Sequence, residues 1–591
     1  MTLEQSYVCV ILAVTLVLFI WGRWRYDVVA LLALLAVVIT GIVPAAQAFE
    51  GFGHPAVITV ASVLVISRSL QTSGIIIWIT RNLDKIQAGP SIQVAAIAGL
   101  VSLLSGFMNN VGALALLLPV VSQTAERTGR APGELMMPLA FGSLLGGLTT
   151  MVGTPPNIIV ASFRTQSAGV PFGMFDFAPV GLVIAIAGVT FISAYGWRLI
   201  PIRMPEAEAG KLFNIGDYIA EVLVPRNSGL SGSSIEDLLA NAGEEGVEVL
   251  ALIRAGKKIL RPKLTHTLRI NDRLLIEGSA EATENILIST PLRLVAKGDP
   301  TSSEFQNEDS GAIEAVVTPG SQLIRRSIAQ AQLERRYGIS LIALARQGRQ
   351  VRTELKRVRV RPGDVLLLHG QMDSIADTLA RIGCLPLANR DINIHRETTL
   401  LPLLIFIIAI ALGASGALSL PVAFTAAVAT LVLSGQIRVR ELYDSIDWPV
   451  IVLLGAMVPV GMAMSLSGVN ALLADKIADL SYIWPTWSIV MLILLAAMFL
   501  SDIVNNAATA IIMSQLSIDV AEKLNVNADP FLMAVAIGAS CAFLTPIGHQ
   551  SNILVMGPGG YRFGDYWKLG LPLEALIVIL AVPLILLFWP L

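Results

Sequence analysis

Ser105-Gly106-Phe107-Met108-Asn109-Asn110 interrupts an apolar block at 92–121, and Ser501-Asp502-Ile503-Val504-Asn505-Asn506 interrupts another at 486–517. Paired asparagines favour turns and offer amide oxygens, so each block reads as two helices meeting at a tip. The apolar block that follows each tip is broken as well. Block 136–162 breaks at Gly153-Thr154-Pro155-Pro156-Asn157, and block 531–556 breaks at Thr545-Pro546-Ile547-Gly548. Gly153-x-x-x-Asn157-Ile-Ile-Val matches Gly548-x-x-x-Asn552-Ile-Leu-Val. Pro55, Gly74, Asp176 and Gly181 match Pro449, Gly468, Asp565 and Gly570 in the same order. Ordered matches at near-constant offsets identify a duplication, with one copy in 1–200 and the other in 399–591.

The 591 residues are 54% hydrophobic and 14% charged, with a mean hydropathy of +0.70. A soluble domain carries about 25% charged residues, so most of this chain belongs in a charge-excluding solvent. A net charge of -2 gives no basis for a nucleic-acid partner. Cys9, Cys384 and Cys541 share no metal or disulfide spacing. Further spanning runs lie near 6–22, 27–45, 55–80, 178–198, 399–416, 420–435, 449–470 and 571–590. The N-terminal run lacks a basic leader and is followed at once by a second run, so no cleavage is expected at Ala45-Ala46-Gln47-Ala48.

Lysine and arginine placement sets the orientation. Arg23, Arg25, Arg81, Lys85, Arg198 and Arg203 follow alternate spans of the first copy, and Arg438, Arg440, Arg562 and Lys568 take the same side in the second. With 92–121 and 486–517 as re-entrant hairpins and the broken segments as single spans, each copy crosses five times. An odd number makes the repeats inverted. The N-terminus is then outside the cell membrane (the inner membrane of a bacterium) and the central region cytoplasmic.

Broken helices at membrane depth need burial or a wet cavity, and inverted repeats with such breaks build the midplane sites of secondary transporters. Half-helix N-termini face an anion, and freed carbonyls ligate a cation. The candidate anion ligands are Asn109, Asn110, Asn157, Asn505, Asn506, Ser551 and Asn552. Two other residues are candidates for coupling. Asp502 is an intramembrane acid whose repeat counterpart is Gly106, and it either carries an ion or caps a half-helix. His549 lies in the second break and either contacts an anion or packs. Arg68 either neutralises substrate or snorkels from a span end.

The central region is duplicated too. Val249-Leu-Ala-Leu-Ile-Arg254-x-Gly256 matches Leu341-Ile-Ala-Leu-Ala-Arg346-x-Gly348, and Asp272-Arg-Leu-Leu-Ile-Glu-Gly278 matches Asp364-Val-Leu-Leu-Leu-His-Gly370. Two α+β domains are expected, 201–297 and 298–398 with its linker, each with short strands around a helix such as Ser234–Ala242 or Ser327–Tyr337. They either sense a ligand or act as a spacer.

On Ser105-x-x-x-Asn109-Asn110, Ser501-x-x-x-Asn505-Asn506 and the two break motifs, the chain resembles the divalent-anion:sodium symporter family of the ion-transporter superfamily. The central domains resemble paired RCK C-terminal (TrkA-C type) modules of a sulfate-transporter-like branch. The resemblance implies a homodimer, an elevator motion and coupling to sodium. It implies a first sodium site on Ser105, Asn110 and Gly153, and a second on Ser501, Asn506, Thr545 and Gly548. Dicarboxylate members carry Ser-Asn-Thr at both tips, whereas Asn109-Asn110-Val111 and Asn505-Asn506-Ala507 lack those hydroxyls, which argues against dicarboxylates, and the resemblance to the RCK-bearing branch implies sulfate or a similar oxyanion. The competing readings are a sodium/proton antiporter, a dicarboxylate transporter and an RCK-gated channel. The spans hold no nucleophile–base pair, so no enzyme is expected.

Overall fold

A computed structural model describes residues 2–21, 24–73, 89–170, 172–201, 219–226, 228–241, 248–254, 257–260, 262–277, 286, 289–297, 310–347, 349–351, 358–387, 399–479, 484–504 and 506–591. Two compact units emerge: Met1–Arg203 joined with Asn389–Leu591, and Met204–Ala388. Asn505, Gly74, Arg81 and Lys85, on which parts of the sequence reading rest, lie outside the described residues.

The first unit is helical. Four of its described helical stretches are long and apolar enough to cross a membrane: Ala45–Thr72, Trp448–Leu466, Thr486–Ile503 and Phe563–Phe588. Shorter apolar helices such as Tyr26–Ile39, Pro90–Ser105, Asn110–Ala125 and Ala178–Ala194 complete it. Prolines open Pro55–Thr72, Pro90–Ser105, Pro132–Gly147 and Pro155–Ala168, where the missing N–H has no helical acceptor to lose. Large apolar side chains such as Ile39, Leu433 and Ile579 point outward, as a lipid-facing surface requires.

Glycine sets the closest helix approach. A Cβ at Gly142 would lie 2.7 Å from Ala98 O and one at Gly146 2.0 Å from Ser102 O, so Pro132–Gly147 meets Pro90–Ser105 backbone to backbone. In the second copy Gly538 does the same against Leu494 O, at 2.7 Å. The two halves of this unit also pack on one another. Phe141 meets Phe543 edge-on at 4.9 Å, and Arg164 grips Asp529 through two bonds of 2.8 and 2.9 Å.

The second unit holds two antiparallel five-stranded sheets. β1 (Ile219–Leu223), β2 (Glu248–Arg254), β3 (Lys257–Leu260), β4 (Arg273–Glu277) and β5 (Arg293–Lys297) run in the order β3-β2-β4-β1-β5. β6 (Ser310–Val317), β7 (Ser340–Arg346), β8 (Arg349–Gln350), β9 (Val365–Gln371) and β10 (Cys384–Pro386) run in the order β10-β6-β9-β7-β8. Read from the other edge, the two orders are the same. Each sheet bulges at one matched place, Val249/Ala251 and Leu341/Ala343. Each carries one matched clasp. Arg254 binds Asp272 at 2.9 and 2.6 Å and also Thr267 O, while Arg346 binds Asp364 at 2.8 Å twice and also Arg359 O. The apolar cores repeat as well, with Val222, Leu252 and Leu274 in one and Leu344, Leu366 and Leu368 in the other.

One helix departs from expectation. The stretch 327–337 is two short helices, Ile328–Ala331 and Leu333–Tyr337, because Gln332 takes a left-handed backbone with φ 46°.

Candidate functional site

Each broken span closes on itself through one asparagine. After the helix Pro132–Gly147 ends, Asn157 in the first turn of Pro155–Ala168 donates back to Gly147 O at 3.3 Å and Thr150 O at 2.9 Å. In the second copy, Asn552 of Gln550–Met556 donates to Ala542 O at 2.9 Å and Thr545 O at 3.1 Å. The threonine hydroxyls in turn clamp the tips, Thr150 to Gly106 O and Thr545 to Asp502 O. These bonds satisfy carbonyls that a broken helix leaves without partners, which a buried segment requires. Gly153 and Gly548 fit where nothing larger would. A Cβ on the first would meet Gly147 O at 2.5 Å, and one on the second would meet Ala542 Cβ at 2.8 Å.

At the first tip, Ser105 ends one helix and Asn110 begins the next; both side chains are buried. One edge of the Asn110 amide faces Ser105 Oγ at 2.6 Å, Ser143 O at 3.1 Å and Gly153 O at 3.2 Å. With its nitrogen on that edge, the amide donates to these oxygens. With its oxygen there, Ser105 Oγ–H donates to Asn110 Oδ1 at 2.6 Å, and four oxygens converge on one point, the ligand set of a hard cation once that hydroxyl proton turns away. Gly147 makes the room, since a Cβ there would sit 2.6 Å from Asn110 Oδ1. The other edge of the amide lies 3.5 Å from His549 Nε2, in the second break. Ser143 Oγ lies 3.4 Å from Ser551 Oγ, and Ser551 is fully buried.

The second tip repeats the first bond and then diverges. Ser501 Oγ donates toward Asn506 Oδ1 at 2.8 Å and toward Ala539 O at 2.7 Å, and Asn506 Nδ2 is buried without a partner among the described residues. Thr545 Oγ1 accepts from Gly548 N at 3.1 Å. Asp502 takes Leu544 N on Oδ1 at 3.1 Å, leaving Oδ2 buried and unpartnered among the described residues. Glu574 from the last helix takes the preceding amide, Phe543 N, at 3.2 Å. Buried carboxylates are costly unless a cation or proton balances them.

Asn109 turns away from the cage. Its side chain caps Val111 N at 3.2 Å, and the residue lines a cavity of about 170 Å³ with Arg68, Gln71, Gly112, Asp447 and Gln550. Arg68 is therefore placed beside a tip residue of one copy and a break residue of the other.

The structure thus brings Ser105, Asn110 and Gly153 to one point and sets His549 and Ser551 against that cluster. Ser501, Asp502, Asn506, Thr545, Gly548 and Asn552 form the second cluster. Asn157 and Asn552 face their own loops. Sequence reasoning missed Ser143, whose contribution is a backbone carbonyl that no residue type announces. It also missed Glu574, for which a signal existed: an acid inside the apolar stretch Phe563–Phe588.

Comparison with known proteins places the chain among transporters. The citrate transporter family model, CitMHS, matches residues 16–522 and 485–591. The uncharacterized transporter YfbS of Escherichia coli is 29% identical, with 99% of each chain covered. The uncharacterized transporter sll0640 of Synechocystis is 28% identical, covering 97% of this chain and 95% of its own. Sodium/sulfate cotransporter 2 of Chlamydomonas reinhardtii is 27% identical over 57% of this chain and 40% of its own. With apolar helices in both halves and a family match spanning them, the chain belongs to the CitMHS citrate transporter family and is a multi-pass membrane protein, a secondary transporter of anions.

Proposed function

We propose that the protein is a sodium-coupled symporter of a small divalent anion, sulfate ahead of dicarboxylates. The observation that carries this is the convergence of Ser105 Oγ, Ser143 O, Gly153 O and the Asn110 amide on one buried point. Sodium is a coupling ion held by such oxygens, with Ser501, Asn506 and the Thr545–Gly548 loop as the second site. The anion occupies the cavity lined by Arg68, Gln71, Asn109, Asp447 and Gln550, on the side of the Arg68 guanidinium, which offsets its charge. The name of the Chlamydomonas relative supports sulfate, and the tips' lack of Ser-Asn-Thr hydroxyls supports it against dicarboxylates.

In this reading the two halves, 1–200 and 399–591, are inverted repeats of five spans with re-entrant tips. The N-terminus lies outside, 201–398 forms two cytoplasmic RCK-C-type domains that take a small-molecule ligand, and a homodimer carries the anion by an elevator motion. The matched tip and break bonds of the two halves support the repeat. The shared strand order and Arg–Asp clasp support a paired module.

A second reading, sodium/proton antiport, rests on Asp502 and Glu574, which are buried on consecutive amides of the second break. Uptake of labelled sulfate, succinate and citrate into proteoliposomes, with and without an inward sodium gradient, tests the first reading. Sodium-driven sulfate uptake supports it. A sodium-dependent proton flux without anion uptake would replace it with the second.

A further inference from the structure

The first tip and the second break meet at the Asn110 amide and the His549 ring, 3.5 Å apart. His549 precedes Gln550–Met556, and its Nδ1 accepts from Ser551 N at 3.1 Å, capping that helix. A ring nitrogen that accepts carries no proton, so in the neutral ring the proton is on Nε2, facing Asn110. His549 therefore offers Asn110 a donor.

The Asn110 amide, however, has two useful orientations. Without a cation, its nitrogen serves Ser105 Oγ, Ser143 O and Gly153 O, and its oxygen accepts from His549 Nε2–H. The amide then has hydrogen-bond partners on both edges, its two N–H groups shared among the three oxygens. With a cation in the cage the oxygen must turn inward, and the NH2 group then confronts Nε2–H, donor against donor. The ring cannot relieve this by moving its proton to Nδ1, because Ser551 N holds that position. His549 must swing away, and the residue beside it, Gln550, lines the cavity shared with Arg68 and Asn109.

We propose that Asn110 and His549 form a donor–acceptor switch, by which a cation entering the first-half cage displaces the second-half break at the anion cavity. His549 is a positioning residue: it touches neither ion in the cation-free state, and it sets the free energy against which the cation turns the amide. By linkage, the anion must alter cation affinity through the same pair. The proposal rests on the sodium reading above.

The test is sodium titration of the purified full-length chain by calorimetry, at constant ionic strength held with potassium, in the presence and absence of sulfate. His549→Asn keeps a side-chain oxygen to cap Ser551 N but is too short to reach Asn110; His549→Ala loses both. The switch predicts that both variants bind sodium about threefold to tenfold more tightly, the worth of one hydrogen bond, and that sulfate then changes sodium affinity less than in the wild type. A purely capping role predicts a wild-type midpoint for His549→Asn with a change confined to His549→Ala, and that result would overturn the switch. A wild-type chain that ignores sodium would overturn the sodium reading and the switch together, whereas a sodium response lost in Asn110→Ala but unchanged in His549→Asn overturns the switch alone. Infrared difference spectra of wild-type chain with ring-labelled histidine need no variant to fold: sodium, and not potassium, should shift an imidazole mode, and an unchanged spectrum counts against the proposal.

Discussion

Asp502 and Glu574 accept hydrogen bonds from consecutive backbone amides, Leu544 N at 3.1 Å and Phe543 N at 3.2 Å, so two helices distant in sequence hold one irregular stretch from both sides. Replacing Glu574 with leucine leaves Phe543 N buried without an acceptor. Glu574→Leu should therefore lower stability by about 1–3 kcal/mol relative to Glu574→Gln, which keeps an acceptor. Thermal unfolding of the two purified variants measures the difference, and equal midpoints would remove the structural role.

Asn110→Ala and Asn506→Ala should each weaken sodium activation of uptake by about tenfold or more, since each removes an amide oxygen from a ligand set of few members. Gly147→Ala should match Asn110→Ala without touching any ligand, because its Cβ would fall 2.6 Å from Asn110 Oδ1. Unchanged sodium activation in all three would place the cation elsewhere.

Arg68→Gln should raise the anion concentration for half-maximal uptake about tenfold, the worth of one charge-assisted hydrogen bond, and leave the sodium midpoint within about twofold. An unaltered anion dependence would show that the guanidinium only covers the surface.

Asp364→Ala and Asp272→Ala should each destabilise their own sheet by about 1.5–3 kcal/mol, because each carboxylate is buried and receives two guanidinium bonds. Asp364 also raises the already high pKa of the Arg346 guanidinium through that bond, so the arginine stays charged across the neutral range. Limited proteolysis of the full chain should detect each variant in its own half of the insert. Cleavage spreading into both halves from either variant would show that the sheets unfold as one.

Much of the site was legible because its elements are punctuated by residue type. Asn, Gly and Pro mark breaks in apolar runs, and matched residues double the signal at Ser105 and Ser501, Asn110 and Asn506, Asn157 and Asn552. What escaped was carried by backbone or by position. Ser143 contributes a carbonyl, and Gly147 contributes an absent side chain. Arg68 reads as a span-end cation until Gln71, Asn109 and Gln550 are seen around the same cavity. The halt at Gln332 is a backbone event in a residue that ordinarily continues a helix.

Asn157 and Asn552 knot each break to its own main chain, and the same knot stands beside different neighbours in the two halves. Gly106 stands opposite Asp502 and Ala185 opposite Glu574 in the alignment of the halves, and the same knot holds in both. Such a frame accommodates a carboxylate in one half where the matched position of the other half is neutral.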